Sequence, residues 1–297
     1  MSNTYIINND DDDVDVYTND IYRYKMLRNV SKYEYIDFDK WSVNVHSESG
    51  PLEENETCYL IIDCIYHDAF AHWVYESAIY LLLYTQLKEI YPNIKLHLKS
   101  NKSYKKLFCE LFNIKIDDIS YELLQTNKCI FPLPISSLNI KHMSMEYKTH
   151  IDRFIHHIQL YMNTNHSIRI LLLPRQMKEN YKDNDRTYNT SDIEFHVKND
   201  NINKILHTDT IENLKEQINI VSMSKNIILT SGSPYFVNGI FCKHSNIIVL
   251  DNIIANQIKH FNKIKYIHSL ILDTNNVTIL PNKGNRFTYD SVRKYLI

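Results

Sequence analysis

From residue 58 onward, continuous apolar runs alternate with segments of helical length and spacing, and this alternation limits the available folds more than any other feature. The run "CYLIIDCIY" (58–66) reads as a buried strand, and "AFAHWVYESAIYLLLYTQLKEIY" (69–91) as a helix. "NIKLHL" is strand-like, "SYKKLFCELFNI" helical, and "KCIFPLPI" a strand closed by prolines. The amphipathic "EYKTHIDRFIHHIQLYMN" leads through polar "TNHS" into a second buried strand, "IRILLLPR". Beyond it, "TIENLKEQINIVSMS" places Ile211, Leu214, Ile218 and Val221 on one helical face, with Asp209 and Glu212 in the spacing of a helix start. "NIILT" is a strand, "SPYFVNGIFC" a short helix and "NIIVLD" another strand. The pattern predicts an α/β fold in two halves joined near residues 163–167, each with a mainly parallel sheet and without an internal repeat.

Residues 1–20 carry the acidic stretch "NNDDDDVDV" and read as a flexible tail or an edge segment. Asp13 and Asp15 form a D-x-D within it, but hard-cation ligands need a rigid frame, so the reading is a solvated tail. The division expected is 1–20 as tail, 21–165 as a first α/β domain and 166–297 as a second.

A net charge of −2 argues against a general phosphate-backbone binder, so nucleic acid is not an expected partner. The cysteines Cys58, Cys64, Cys109, Cys129 and Cys242 are odd in number and show no CxxC spacing, which makes them reduced core residues. No basic segment followed by an apolar one opens the chain, and runs such as "AIYLLLY" fall short of the roughly 18 residues a membrane helix needs. The expectation is a cytosolic protein without a transmembrane segment, or one packaged from a cytosol into a virion. Heavy use of Ile, Asn, Lys and Tyr with little Gly and Ala suggests an AT-rich genome, viral or microbial.

Two of the four glycines fall in "NIILTSGSPYFVNGIF" (226–241), where a small-residue turn follows a strand and Pro234 suits the first turn of the next helix. In an open parallel sheet, ligands bind outside the carboxyl ends of the strands. Gly232 there would let a diphosphate approach the backbone, with Ser231 and Ser233 as hydroxyl donors, although a plain strand-to-helix turn has the same grammar. Arg175 ends the strand "RILLLPR", and Arg186 and Asn189 follow in the next loop. The two arginines read either as bidentate phosphate ligands or as surface partners of Asp183 and Asp185. In the first half, His72 and Glu76 share a helical face beside Trp73, as a base and the group that orients it or as a solvated polar face. His67 and Asp68 lie just upstream, and no spacing in this cluster matches a zinc site.

The order of these pieces resembles glycosyltransferase family 61. "AHWVYE" is similar to its His-aromatic-x-x-acid block, and "LLLPRQMKENYKDNDRTYN" to its Arg, spacer, Arg-x-x-Asn block, through Arg175, Arg186 and Asn189. "TIENLKEQINIVSMSKNIILTSGS" resembles its Glu-Gln block through Glu216 and Gln217, and "SGSPYFVNGIF" its Gly-Ala-x-x-x-Asn-x-x-Phe block through Gly232, Asn238 and Phe241. The resemblance covers about residues 59–250 and departs at Ser231, where the family has histidine, and at Ser233, where it has alanine. It implies a GT-B architecture, two Rossmann-like domains facing across a cleft, and a metal-independent inverting transfer of sugar from a nucleotide sugar, a UDP-sugar foremost, to a hydroxyl of a glycan or protein-linked acceptor. It further implies donor contacts from Arg175, Arg186, Asn189, Glu216, Ser231, Gly232, Ser233 and Asn238, and a base in Glu76 supported by His72. No cofactor is expected. The alternative is a catalytically silent relative that binds a glycan or a protein, and the choice between monomer and homodimer stays open.

Overall fold

The computed structural model describes residues 57–63, 69–121, 145–174, 188–207, 213–251, 254–281 and 286–297, together with backbone strands at 4–8, 14–17, 24–25, 125–126 and 129–130. The chain forms two compact units, Met1–Phe154 and Ile155–Ile297.

The first unit holds strands β1 (Thr4–Asn8), β2 (Val14–Tyr17), β3 (Tyr24–Lys25), β4 (Tyr59–Ile61), β5 (Lys95–His97), β6 (Ile119–Ser120), β7 (Gln125–Thr126) and β8 (Cys129–Ile130). Four of them pair antiparallel in the order β3-β2-β1-β7, so β1 and β2 lie inside the acidic segment set apart as a tail or edge segment. The other four form a parallel sheet in the order β6-β5-β4-β8. The single helix expected over 69–91 is interrupted: α1 (Phe70–Glu76) ends where Ser77 leaves helical geometry at φ −129°, a 3-10 turn follows, and α2 (Leu81–Ile90) resumes. Helix α3 is Ser103–Leu111, and α4 is Met145–Gln159, within which the division between units falls.

The second unit contains β9 (Ile168–Leu173), α5 (Ser191–Lys198), β10 (Lys204–Ile205), α6 (Leu214–Ser222), β11 (Ser224–Thr230), α7 (Ser233–Gly239), β12 (Asn246–Asp251), α8 (Ile254–His260), α9 (Asn262–Leu272), β13 (Asn276–Pro281) and α10 (Tyr289–Arg293). All its strand pairs are parallel, in the order β10-β9-β11-β12-β13. Successive strand residues face opposite sides. Ile170, Leu172, Ile228, Ile248 and Leu250 pack against Ile193 and Val197 of α5 and Val292 of α10. The alternate set, Leu171, Ile227, Leu229, Ile247 and Val249, is buried as fully on the side of α6 and α7, which pack on β11. Burial on both faces is why these strands read as unbroken apolar runs. Each such side chain contributes about 1.5–3 kcal/mol, which fixes the sheet as the core.

Helix α6 begins at Asn213, whose side chain accepts from the N–H groups of Lys215 and Glu216; the Asp209 and Glu212 signal lies outside the described residues. Leu214, Ile218 and Val221 are buried as the helical spacing requires.

The amino ends of three strands carry a row of paired amides. Asn226, Asn246 and Asn276 are in register across β11, β12 and β13. Asn246 Nδ2 donates to Asn226 Oδ1 at 2.9 Å and to the Tyr295 carbonyl at 2.7 Å, while its Oδ1 accepts from Asn276 Nδ2 at 2.9 Å. Asn226 Nδ2 donates to the carbonyls of Arg169 and Ile297, and its Oδ1 accepts from Ile297 N. The row therefore pins strand register and holds residues 295–297 against the sheet. Replacing the buried Asn246 by Ala removes three hydrogen bonds, one of them to the buried Asn226, and is expected to cost about 2–4 kcal/mol in urea denaturation. Asn276→Ala, at an exposed strand end, should cost under about 1 kcal/mol. Equal losses would refute a special role for the central amide.

Candidate functional site at the carboxyl edges of the parallel sheets

Counted from β9, the second sheet has the strand order 2-1-3-4-5, so the connection reverses direction between β9 and β11. In a doubly wound sheet a crevice opens at such a point, outside the carboxyl ends of the strands. The groups at this point are the end of β9 at Leu173 and the turn Thr230-Ser231-Gly232-Ser233 after β11. Gly232 has φ 87° and ψ −141°, a conformation costly for any residue with a Cβ, and its carbonyl accepts the Phe236 N–H that opens α7. Gly232, Ser233 and Pro234 are half-buried. With seven residues, α7 is too short to act as more than a continuation of this turn.

Ser231 is fully buried: its N–H donates to the Leu250 carbonyl and its hydroxyl lies 2.5 Å from the Tyr188 hydroxyl. Asn238 is also buried, with Oδ1 accepting from Gln217 Nε2 at 2.6 Å and Nδ2 donating to the Pro234 carbonyl at 2.9 Å. Both side chains are thus committed within the protein. Glu216 is exposed on the first turn of α6, whereas its neighbour Gln217 faces inward. Asn189 is exposed, and its Oδ1 accepts from the N–H and hydroxyl of Ser191 at the start of α5. Arg175 and Arg186 lie outside the described residues. Thr230 Oγ1 is buried without a hydrogen-bond partner. A Cβ on Gly239 would come 2.7 Å from Ile271 Cδ1, so the end of that side chain on α9 would have to shift to admit one.

In the first unit the order β6-β5-β4-β8 places the reversal between β4 and β8. Two residues past β4 stands Asp63, 2% exposed. Its carboxylate accepts from Trp73 Nε1 at 2.9 Å, from the Lys99 N–H, and from Lys105 Nζ at 3.2 and 3.3 Å. Lys105 is fully buried on α3, with its ammonium 5.7 Å from the centre of the Trp73 ring. His97, at the end of β5, is buried with Nδ1 unpartnered, and Tyr121, just past β6, has a buried hydroxyl without a partner. On α1, His72 Nδ1 and Glu76 Oε1 are 2.9 Å apart; Glu76 is enclosed, and the His72 side chain is 23% exposed. Because Trp73 follows His72 directly, the Asp63–Trp73 bond anchors the helix that carries this pair.

The sequence reading passed over Asp63, His97, Lys105 and Tyr188, and took Thr230 only as part of the small-residue loop. Two signals were available: one acid inside an apolar strand run, and one lysine three and four residues from the apolar Phe108 and Cys109 on a helix. Tyr188 carries no such mark.

Burial pushes the thiols of Cys58 and Cys242 up and that of Cys109 to about 12, which leaves none of the three as a thiolate nucleophile near neutral pH. Among the described residues no group of three His, Cys, Asp or Glu is placed to hold a metal ion, and no helix is long and apolar enough to cross a membrane.

What fold and site define together is an α/β protein with open parallel sheets of the Rossmann-like kind and candidate polar groups at their carboxyl edges. Compared with protein-family models and with curated proteins, the chain matches none.

Two measurements test the electrostatics. Lys105→Met leaves a buried carboxylate without its counter-charge and should cost about 3–5 kcal/mol, while the Asp63→Asn, Lys105→Met double variant should cost clearly less. Equal losses would show that packing, not charge, is at stake. Burial holds His97, His150 and His268 below the ordinary 6.5, opposed at His97 by Asp63 and reinforced at His150 by Arg153. His268 Nδ1 also lies 2.5 Å from the Tyr235 hydroxyl, in a hydrogen bond whose donor depends on the imidazole tautomer. The unfolded chain takes up these protons first, so their contribution is complete above pH 6.5 and is lost as pH falls through the lowered folded values. A thermal midpoint that stays level as pH drops from about 7 to about 5.5 would contradict this.

Proposed function

We propose that the protein is a metal-independent inverting glycosyltransferase, taking a sugar from a nucleotide sugar, a UDP-sugar foremost, to a glycan or protein-linked hydroxyl. The observation that carries the reading is the 2-1-3-4-5 parallel sheet with the left-handed Gly232 turn at its reversal point. The order of the sequence blocks supports it, as does a second parallel sheet with polar groups at its own carboxyl edge. The GT-B arrangement of the two units belongs to this proposal.

In the reaction the acceptor oxygen attacks the anomeric carbon, the bond from that carbon to the diphosphate oxygen breaks, and the diphosphate leaves with the electron pair while configuration inverts. Arg175 and Arg186 are assigned to the diphosphate charge, the Gly232–Ser233 backbone to close approach, and Asn189 and Glu216 to the ribose. The burial of Glu76 favours His72 as the group that meets the acceptor proton, with Glu76 behind it balancing the imidazolium.

One observation favours the silent-relative reading: Ser231 and Asn238, two of the expected donor contacts, already spend their polar atoms on Tyr188, Gln217 and Pro234. Thermal unfolding against UDP-, GDP-, CMP- and dTDP-sugars without added metal separates the cases, since a ligand at ~100 times its Kd adds roughly 2.7 kcal/mol. The transferase reading expects a shift with one nucleotide class, lost in Arg186→Ala, and sugar transfer lost in His72→Ala. A shift without transfer supports the silent binder, and no shift with any nucleotide sugar refutes the donor site.

A further inference from the structure

The turn at the reversal point is held from both sides by side chains that never reach its exposed part. On one side, the phenol of Tyr188 meets the hydroxyl of Ser231 at 2.5 Å, with Tyr188 only 3% exposed and Ser231 fully enclosed. The ring is fixed in turn: it stacks on Phe287 with centroids 6.0 Å apart, and the Phe287 N–H donates to the carbonyl of Asn189, next to Tyr188. On the other side, Gln217 holds Asn238, and Asn238 holds the Pro234 carbonyl. Between these anchors lie Gly232 and Ser233, half-buried, with the glycine in its left-handed conformation.

A bond between two buried hydroxyls is protected from competition by solvent, and losing it leaves the enclosed Ser231 hydroxyl without this partner. Ser231 is therefore spent on the scaffold rather than on a ligand. The polar group left without a partner here is the neighbouring Thr230 hydroxyl, fully buried at the end of β11. It lies where the strand order reverses between β9 and β11.

We propose that Tyr188 is a positioning residue of the donor site: by holding Ser231 it fixes the Gly232–Ser233 turn in the shape that a nucleoside diphosphate meets. The inference rests on the donor-site reading above. A turn fixed in advance binds without losing freedom on contact, so releasing it weakens the complex even when the phenol touches no ligand. The bond is shared, so the loss in the double variant falls short of the sum of the two single losses.

The test is calorimetric titration of the full chain with UDP, GDP, CDP and dTDP, well below the unfolding temperature, for wild type, Tyr188→Phe, Ser231→Ala and the double variant. Tyr188→Phe keeps the ring on Phe287. The expected result is a loss in affinity of roughly 5- to 20-fold in each single variant, and in the double variant a loss no greater than the larger of these. In a transfer assay the donor KM should rise while kcat at saturating donor holds. A lowered thermal midpoint with wild-type affinity would make Tyr188 a stabilising residue only and overturn the proposal, as would additive losses in the double variant. If wild type binds none of the four nucleotides, the donor-site reading falls and this inference with it; if wild type binds and Tyr188→Phe binds equally well, only this inference falls.

Discussion

The second unit depends on strand register, and three amides set it. In a parallel sheet buried on both faces, a slip of one residue exchanges every side chain between two packed layers, so register must be specified by more than hydrophobicity. Apolar runs as uniform as those of β11 and β12 carry little such information by themselves. The row Asn226–Asn246–Asn276 supplies it, because amide oxygen and amide nitrogen meet only when the three asparagines stand side by side. Once the amino ends are aligned, the carboxyl ends are too, and the Thr230–Ser233 turn falls beside the end of β9.

The two edges of the sheets differ in how their polar groups are satisfied. At the amino edge of the second sheet the central amide uses both donors and its acceptor oxygen. At the carboxyl edges, buried atoms of His97, Tyr121 and Thr230 stand without a hydrogen-bond partner. Such atoms cost stability, and folded proteins keep few of them. Those three lie at the edge where α/β sheets receive ligands, while a fourth buried atom without a partner, Asn203 Oδ1, lies just ahead of β10 at the opposite edge.

Much of the fold was legible in the sequence because a strand buried on both faces and a helix buried on one leave different signatures. β9, β11, β12, α6 and α7 are all visible in that way. Half-exposed elements left weaker traces: α5, β10 and everything after Asp251 went unassigned, and β13, partly exposed along most of its length, mixes Thr and Pro into a short apolar run. The break at Ser77 was hidden because apolar residues continue through it in helical spacing. Of the site, Gly232 was legible because a scarce residue stood at a turn, and His72 with Glu76 because four-residue spacing brings side chains together. Tyr188 was not, since 43 residues separate it from Ser231 and only the fold joins them.

The buried ion pair of the first unit has a consequence for how this sequence can change. Asp63 and Lys105 are 42 positions apart, yet the loss of either charge alone removes a large part of the roughly 5–15 kcal/mol by which a domain is stable. A lineage altering one position first passes through a protein close to unfolding, whichever position that is. The two codons therefore behave as one genetic unit: either step alone is closed, and the path to an apolar pair runs through a simultaneous double change or through stabilising substitutions elsewhere that come first.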